Sequence, residues 1–307
     1  YIKNLSDKYE IVHYGLSGSE VDCEHVDIDI SVHPDRNTHN KNFNSIAGPE
    51  IGKRKSKGDL IVCFFGVENS EAALMHPELK VIEPSIGYRT NAVFAPYRAF
   101  TSYAQMHMFY GERGMLMNPS WTDAVIPNPF TVSEFEYKKD KQDYFLYLGR
   151  VCEEKGIHLA IQATERLGVK LVIAGPGDLR ALGYNRTPDH VECVGLVNQE
   201  QRKTLLANAK CLLGLTYYVE PFGNMVIEAN LSGTPVITTD WGAFPETVDE
   251  CVTGYRVRGF KDLLIAMDSI KYIDPAKCRE HGLKYSDENI HFMHHEYLQR
   301  VIKNDFY

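Results

Sequence analysis

The feature that most constrains the fold is a regular alternation of short apolar runs and helix-like segments over the C-terminal half of the sequence. The apolar runs are continuous, which is typical of parallel strands that helices cover on both faces. Strands are predicted at residues 144–149, 170–174, 190–197, 211–217 and 235–239, and helices at 155–167, 199–209 and 224–231. This repeated order predicts a doubly wound α/β fold, whose ligands bind at the carboxyl ends of the strands.

The N-terminal part alternates less regularly. Strands are predicted at residues 10–14, 26–32, 59–65 and 80–83, a helix at 98–110, and a polar stretch without a predicted strand at 34–57. The prolines at 127 and 129 interrupt regular structure. We therefore predict an N-terminal domain at residues 1–135, a second domain at 136–286 and a C-terminal helical segment at 287–307.

Composition excludes several classes of protein. The 307 residues suit two domains of about 150 residues each. A net charge of -8 provides no broad basic surface for nucleic acid or anionic lipid. The seven cysteines are scattered without a CxxC pair, which argues against a disulfide framework or a zinc site and favours a cytoplasmic location. The longest apolar run, residues 60–65, is far shorter than the roughly 20 residues of a membrane helix, so no integral membrane segment is expected.

Two basic residues follow the strand predicted at 144–149. Arg150 and Lys155 lie between the end of that strand and the start of a helix. Two positive charges and the first N–H groups of the helix can converge there on an anion such as a diphosphate. The alternative is that both are solvated surface charges.

A second candidate site runs from Glu220 to Glu228. Glu220 precedes the start of a predicted helix, and Gly223 allows a ligand to approach the backbone closely. Glu228 lies inside the helix among apolar residues, where an unpaired carboxylate is costly to bury. Sugar or ribose hydroxyls are suitable partners, because a carboxylate accepts two hydrogen bonds side by side. The alternative, an acidic residue that stabilises a helix N-terminus, fits Glu220 better than Glu228.

Two other motifs argue against a metal and a nicotinamide cofactor. Asp27 and Asp29 have the DxD spacing of some cation sites, but they alternate with apolar residues of a predicted strand and would form its solvent face. Gly175 and Gly177 begin a dinucleotide fingerprint that lacks its third glycine. We therefore predict neither a metal site nor a tightly bound cofactor.

Together these motifs resemble family 4 of the retaining glycosyltransferases, which have the GT-B fold of two Rossmann-like domains facing a cleft. Four features carry the resemblance in order along the chain: Arg150 with Lys155, the residues 175–178, the E-x7-E pattern from Glu220 to Glu228, and the residues 238–246. The segments 83–88 and 102–107 resemble a subgroup of that family more loosely. The resemblance implies that the C-terminal helix crosses back to the N-terminal domain.

The resemblance also implies a role for each matching residue. Arg150 and Lys155 would hold the donor diphosphate, Glu220 the hydroxyls of the donor sugar, and Glu228 the ribose hydroxyls. Further donor contacts are predicted at the strand end and helix start and around the nucleobase: Gly149, Gly175, Pro176, Val197, Phe222, Gly223, Asn224 and Met225. The co-substrate would be a UDP- or GDP-linked sugar and the partner a glycan or other hydroxyl acceptor.

The acceptor side is the least determined. His107, on the predicted aromatic helix, is a candidate acid or base; the alternative is a packed or surface histidine. Members of the family usually have a histidine after the strand that corresponds to residues 59–65, and residues 66–69 contain none. The N-terminal domain is also expected to lack its first strand and the glycine-bearing loop that follows it, with Tyr1 inside a longer chain.

The activity predicted from these observations is transfer of a sugar from a nucleoside-diphosphate sugar to an acceptor hydroxyl by same-face attack, in glycan or polysaccharide biosynthesis. Two alternatives stay open: a GT-B-fold nucleotide-sugar epimerase and a non-catalytic sugar-binding relic. The sequence does not determine the nucleotide, the donor sugar, the acceptor or the oligomeric state.

Overall fold

The computed structural model describes residues 1–304, which divide into two compact units. One unit comprises Tyr1–Pro127 and the chain from Asp287 onward, and the other comprises Asn128–Ser286. The division falls eight residues before the predicted boundary at 135–136. The reason is packing, because Phe130 and Phe135 are buried in the hydrophobic core of the second unit.

The first unit is a parallel α/β arrangement with two sheets. Strands β1 and β2 pair with each other, and β3, β4, β5 and β6 form a second sheet in that order; every pair is parallel. The elements are α1 (Ile2–Leu5), β1 (Val12–Leu16), β2 (Glu24–Ile28), α2 (Arg36–Arg54), β3 (Leu60–Val62), α3 (Ser70–Leu74), β4 (Lys80–Ile86), β5 (Tyr97–Phe100), α4 (Tyr103–Glu112) and β6 (Ala124–Val125).

The second unit contains a single six-stranded sheet. Its elements are β7 (Tyr144–Leu148), α5 (Ile157–Leu167), β8 (Lys170–Ala174), β9 (Val191–Gly195), α6 (Gln199–Asn208), β10 (Cys211–Gly214), α7 (Asn224–Leu231), β11 (Val236–Thr239), α8 (Phe244–Thr247), β12 (Gly254–Val257), α9 (Phe260–Ser269) and α10 (Pro275–Leu283). Helix α11 (Asp287–Lys303) then belongs to the first unit.

The sheet of the second unit is parallel throughout, in the order β12-β11-β10-β7-β8-β9. Successive residues of β7 face opposite cores: Phe145 and Tyr147 pack with α5 and α9, whereas Tyr144 and Leu146 pack with α6 and α7. Both faces of the sheet are therefore covered, as the continuous apolar runs predicted. The predicted doubly wound α/β fold is confirmed.

Two predictions in the first unit were wrong or incomplete. The predicted helix at 98–110 is in fact strand β5 followed by helix α4, because Ala99 and Phe100 are fully buried in the sheet and Ser102 caps the helix by accepting from the Gln105 N–H at 3.0 Å. The polar stretch at 34–57 contains helix α2, which Asp35 caps in the same way.

The sequence also failed to predict three elements of the second unit, α8, β12 and α10. All are short, and none has a regular apolar pattern that a single sequence reveals. Within residues 1–304, no helix has both the length and the apolar character that crossing a lipid bilayer requires.

Candidate functional site

The candidate site of the second unit lies where the sheet changes direction. The chain passes from β7 through β8 to β9 on one side, and from β10 through β11 to β12 on the other. The loops that follow the adjacent strands β7 and β10 therefore meet at the carboxyl edge, which is where ligands bind in open parallel sheets. The two loops come into close contact at Gly156, which has φ of 72°. A Cβ at this position would lie 2.0 Å from the Leu215 carbonyl oxygen.

An ion pair joins these two loops. Lys155 Nζ lies 2.7 Å from Glu220 Oε2, and both side chains are largely buried, with exposures of 19% and 11%. Burial lowers the pKa of the Lys155 ammonium, but the Glu220 carboxylate outweighs this effect and the pKa is raised overall. The ammonium therefore stays charged. It also lies 4.8 Å from the centroid of the Tyr218 ring, a favourable cation–π contact.

Helix α7 carries a second buried carboxylate. Glu228 is 8% exposed, and its Oε1 is 3.1 Å from the Arg202 guanidinium on α6. Burial raises the pKa of Glu228, the Arg202 charge lowers it in part, and Glu134 raises it. Burial has the larger effect, so the charged carboxylate is held at a cost.

Each of these carboxylates keeps one oxygen available. Among residues 1–304, normal hydrogen bonds reach only Oε2 of Glu220, from Lys155 and from the Thr216 hydroxyl at 3.4 Å, and only Oε1 of Glu228, from Arg202. The Tyr218 hydroxyl also interacts electrostatically with Lys155 and Glu220. The second oxygens can accept hydrogen bonds from a ligand.

The start of α7 supplies backbone donors. Gly223 precedes the helix with φ of 80°, and a Cβ at this position would lie 2.8 Å from the Phe244 ring. Phe222 is buried, Met225 is half-buried and Asn224 is exposed. The Asn128 amide donates to the Asn224 side-chain oxygen at 2.9 Å. The first N–H groups of a helix lack intrahelical acceptors and attract anions.

The ends of β7, β8 and β9 form a glycine-lined edge. Gly149 N donates to the Ala174 oxygen at 2.9 Å, and Gly175 N donates to the Gly195 oxygen at 2.7 Å. At Gly175, with φ of 146°, a Cβ would lie 1.9 Å from the Gly149 oxygen. Position 175 requires glycine because the two backbones are in direct contact there. Pro176 is exposed and Val197 is half-buried at the same edge.

Arg150 follows Gly149 and is exposed. Its carbonyl oxygen accepts from the Tyr147 hydroxyl at 2.5 Å, so the backbone is anchored and the guanidinium extends from it. An open depression has a volume of about 500 Å³, and two of its lining residues directly precede Lys155 in the sequence. It is lined by Glu153, Glu154, His158, Tyr217 and Tyr218.

The structure thus groups most of the predicted site residues in one unit. The Gly149–Lys155 and Glu220–Glu228 segments lie on neighbouring loops, because the strands that precede them, β7 and β10, pair with each other. His107 lies in the other unit, exposed on α4 with its ring centroid 6.1 Å from that of Tyr103. Its role on the acceptor side stays a prediction.

Four residues of this site were not predicted: Asn128, Arg202, Tyr218 and Trp241. The Trp241 indole N–H donates to the Tyr218 carbonyl at 3.2 Å. Tyr218 and Trp241 lie beside or within motifs already recognised, so sequence proximity could have indicated them. Asn128 and Arg202 contact the site only through the tertiary fold.

The second unit, which carries this site, is similar in sequence to known proteins. Residues 131–277 match the family described as glycosyl transferases group 1. The matched segment contains every predicted donor-site residue. Over 128 residues the chain is 36% identical to an uncharacterized glycosyltransferase of Methanocaldococcus jannaschii, which covers 39% of this chain and 33% of that protein. The match thus spans about a third of the relative's length.

Solved structures extend the likeness to both units. AviGT4, a glycosyltransferase involved in avilamycin A biosynthesis, aligns with a TM-score of 0.70 at 21% identity, over 98% of this chain and 87% of that chain. The HepE protein of Anabaena, solved with UDP and glucose, aligns with a TM-score of 0.62 at 16% identity, over 76% and 75% of the two chains. At these identities the likeness establishes the fold, and the predicted GT-B class is confirmed.

Proposed function

We propose that the protein is a retaining glycosyltransferase that uses a nucleoside-diphosphate sugar. The observation that carries this proposal is the pair of buried carboxylates, Glu220 and Glu228, each with one oxygen left for a ligand, on either side of the α7 N-terminus. A nucleotide sugar fits this arrangement, because it has hydroxyl groups on its sugar and on its ribose and a negatively charged diphosphate between them. The group 1 domain provides separate support.

In the proposed donor complex, Glu228 Oε2 accepts from the ribose hydroxyls and Glu220 from the hydroxyls of the sugar. Arg150, Lys155 and the N–H groups at the start of α7 bind the diphosphate. The nucleobase lies against Gly175, Pro176 and Val197. Arg202 holds the Glu228 carboxylate from the side opposite to the ribose.

The proposed reaction breaks the bond between the anomeric carbon and the diphosphate oxygen, and that oxygen gains the negative charge. Arg150 and Lys155 stabilise this charge in a preorganised site, which is a large source of rate acceleration. The acceptor oxygen forms its bond on the same face of the sugar, and its proton passes to the departing phosphate. These side chains supply the positive charge, so we propose that the reaction needs no divalent cation.

Nucleotide binding tests the donor site. Isothermal titration of the full chain with UDP, GDP and uridine should show binding of at least one diphosphate and weaker binding of uridine by more than tenfold, because the diphosphate interacts with two cations. We expect the same affinity in EDTA. Arg150→Gln should weaken diphosphate binding several-fold, whereas Arg166→Gln, an exposed arginine at the end of α5, should leave it unchanged.

The outcomes separate the three candidate functions. Absence of binding to both UDP and GDP at millimolar concentration would favour a non-catalytic relic. NMR of the products then distinguishes the two enzymes: an epimerase converts UDP-glucose or GDP-mannose to another nucleotide sugar without acceptor, whereas a retaining transferase forms a product with the donor's anomeric configuration. His107→Ala, tested in the same assay, should reduce transfer and leave nucleotide affinity unchanged if His107 acts on the acceptor side.

A further inference from the structure

At and beyond the carboxyl ends of the parallel strands β10 and β11, the two segments of the chain stay connected by a regular set of hydrogen bonds. Thr239 Oγ1 donates to the Thr216 carbonyl at 2.9 Å, the Trp241 indole N–H to the Tyr218 carbonyl at 3.2 Å, and Ala243 N to the Glu220 carbonyl at 2.9 Å. Donors at every second residue of the segment after β11 thus bind carbonyls at every second residue of the segment after β10. We call residues 239–243 the bracing segment.

The third bond of this set ends at the Glu220 backbone. Gly242, with φ of 64°, lies so close that a Cβ would be 2.5 Å from Glu220 N and 2.8 Å from Glu220 O. Contacts of that length do not occur between a Cβ and backbone atoms, so any side chain at position 242 would displace Glu220. The bracing segment therefore fixes the peptide whose side chain meets Lys155.

We propose that the bracing segment is a positioning element that holds Glu220 and Tyr218 against Lys155, and so sets the geometry of the donor-sugar carboxylate. This inference rests on the proposed function. Thr239, Trp241 and Gly242 are positioning residues, because their contacts are with the loop that carries Glu220 and their effect passes through it. Two of the three bonds use side-chain donors, so the arrangement depends on these residue types.

A double-mutant cycle measures the positioning without requiring the donor to be known. Lys155→Met and Glu220→Gln are combined in the Trp121→Phe background, where Trp241 is the remaining tryptophan and its fluorescence follows urea unfolding of its own unit. The coupling is the factor by which the double variant's unfolding constant departs from the product of the single effects. A buried charge-assisted hydrogen bond should give a coupling of about tenfold or more.

The same cycle is then repeated after Gly242→Ala and after a matched control, Gly168→Ala. Gly168 has φ of 65° and no neighbouring atom within 4 Å, so its substitution imposes the same backbone strain without a clash. We expect the coupling to fall below threefold with Gly242→Ala and to stay near tenfold with Gly168→Ala. A purely structural glycine would weaken all four proteins of the cycle equally and leave the coupling unchanged, which would overturn the proposal.

A gentler pair of variants covers the case in which Gly242→Ala does not fold. Thr239→Val removes the hydroxyl that donates to Thr216, whereas Thr238→Val removes a buried hydroxyl that has no partner among the described residues. The proposal requires Thr239→Val to reduce the coupling at least threefold and Thr238→Val to preserve it. Equal couplings would refute it. Titration of the parent protein with UDP and GDP distinguishes that result from failure of the proposed function. Nucleotide binding by the parent does not depend on whether the variants change the coupling.

Discussion

Buried carboxylates of the two units differ in how many of their oxygens accept hydrogen bonds from the protein. In the first unit Glu83 is fully buried, and both of its oxygens are occupied: Oε1 accepts from the Tyr88 hydroxyl at 2.7 Å, and Oε2 from Phe94 N at 2.9 Å and Ala95 N at 2.7 Å. In the second unit Glu220 and Glu228 each accept normal hydrogen bonds on one oxygen.

This difference separates a structural carboxylate from the two carboxylates that we propose bind the donor. Glu83 accepts from two backbone N–H groups and so fixes the loop between β4 and β5, and neither of its oxygens is without a partner. Glu220 and Glu228 each accept these hydrogen bonds on one oxygen, and the other oxygen is left for a ligand. Burial alone does not identify a site; the number of unfilled hydrogen-bond positions does.

The largest expected effect is on stability, at Glu83. Glu83→Ala removes the acceptor of three donors, each of which costs about 1–3 kcal/mol when left buried and unpaired. We expect the free energy of unfolding to fall by roughly 4 kcal/mol, measured by urea denaturation with circular dichroism. Glu83→Gln, which keeps one oxygen, should lose less.

Nucleotide affinity supplies the other half of that test. Folded Glu83→Gln protein should bind UDP or GDP as the parent does, and the exposed Glu71 provides a control, since Glu71→Ala should change neither property. A loss of affinity without loss of stability in Glu83→Gln would contradict the structural role.

The next effect is on donor binding, at Lys155. Lys155→Met keeps a long unbranched side chain but removes the charge that we propose binds the diphosphate, and one charge-assisted hydrogen bond contributes about 1.5–3 kcal/mol. Nucleoside diphosphate affinity should therefore fall roughly 10- to 100-fold by calorimetry.

Lys210 is the matched control for this variant. Its ammonium is also paired, 2.6 Å from Asp143, and lies 5.9 Å from the centroid of the Phe145 ring in the same unit. Lys210→Met should leave affinity within twofold of the parent. Equal losses in the two variants would show that total charge rather than the site controls binding.

The smallest expected stability change is at Glu228. Because burial raises the pKa of Glu228 in the native state, the native protein binds the proton more tightly than the unfolded chain. The associated stability is complete below the ordinary value of 4.5 and is lost as pH rises through the native pKa. Glu228→Gln removes this loss, so the variant should be at least as stable as the parent at pH 7.5.

The same variant should bind UDP or GDP about tenfold more weakly, because an amide oxygen accepts the ribose hydroxyls less strongly than a carboxylate. Urea denaturation at pH 4 to 8 and calorimetry check the two expectations. Glu200→Gln, an exposed acid in the first turn of α6, should affect neither property. A Glu228→Gln protein that is strongly destabilised at pH 7.5 would place Glu228 with Glu83.

Much of the second unit was predictable because its signals are local. Continuous apolar runs predicted the parallel strands, and the order of strands and helices predicted the carboxyl edge as the place of the site. That Lys155 meets Glu220 there was not predicted. The first unit was less predictable. The stretch at 98–110 contains a strand and a helix in close succession, and the polar face of α2 hides its helical period.

The sequence by itself determined the α/β class, the carboxyl edge that carries the site and the residue types gathered there, because strand and helix periodicity and motif spacing are properties of consecutive residues. Only the tertiary structure decided which charges pair, that Arg202 holds Glu228, and that residues 239–243 brace the Glu220 loop. The contacts of Arg202 and of residues 239–243 join residues 23 to 26 positions apart. Their geometry depends on how strands and helices pack rather than on any local pattern.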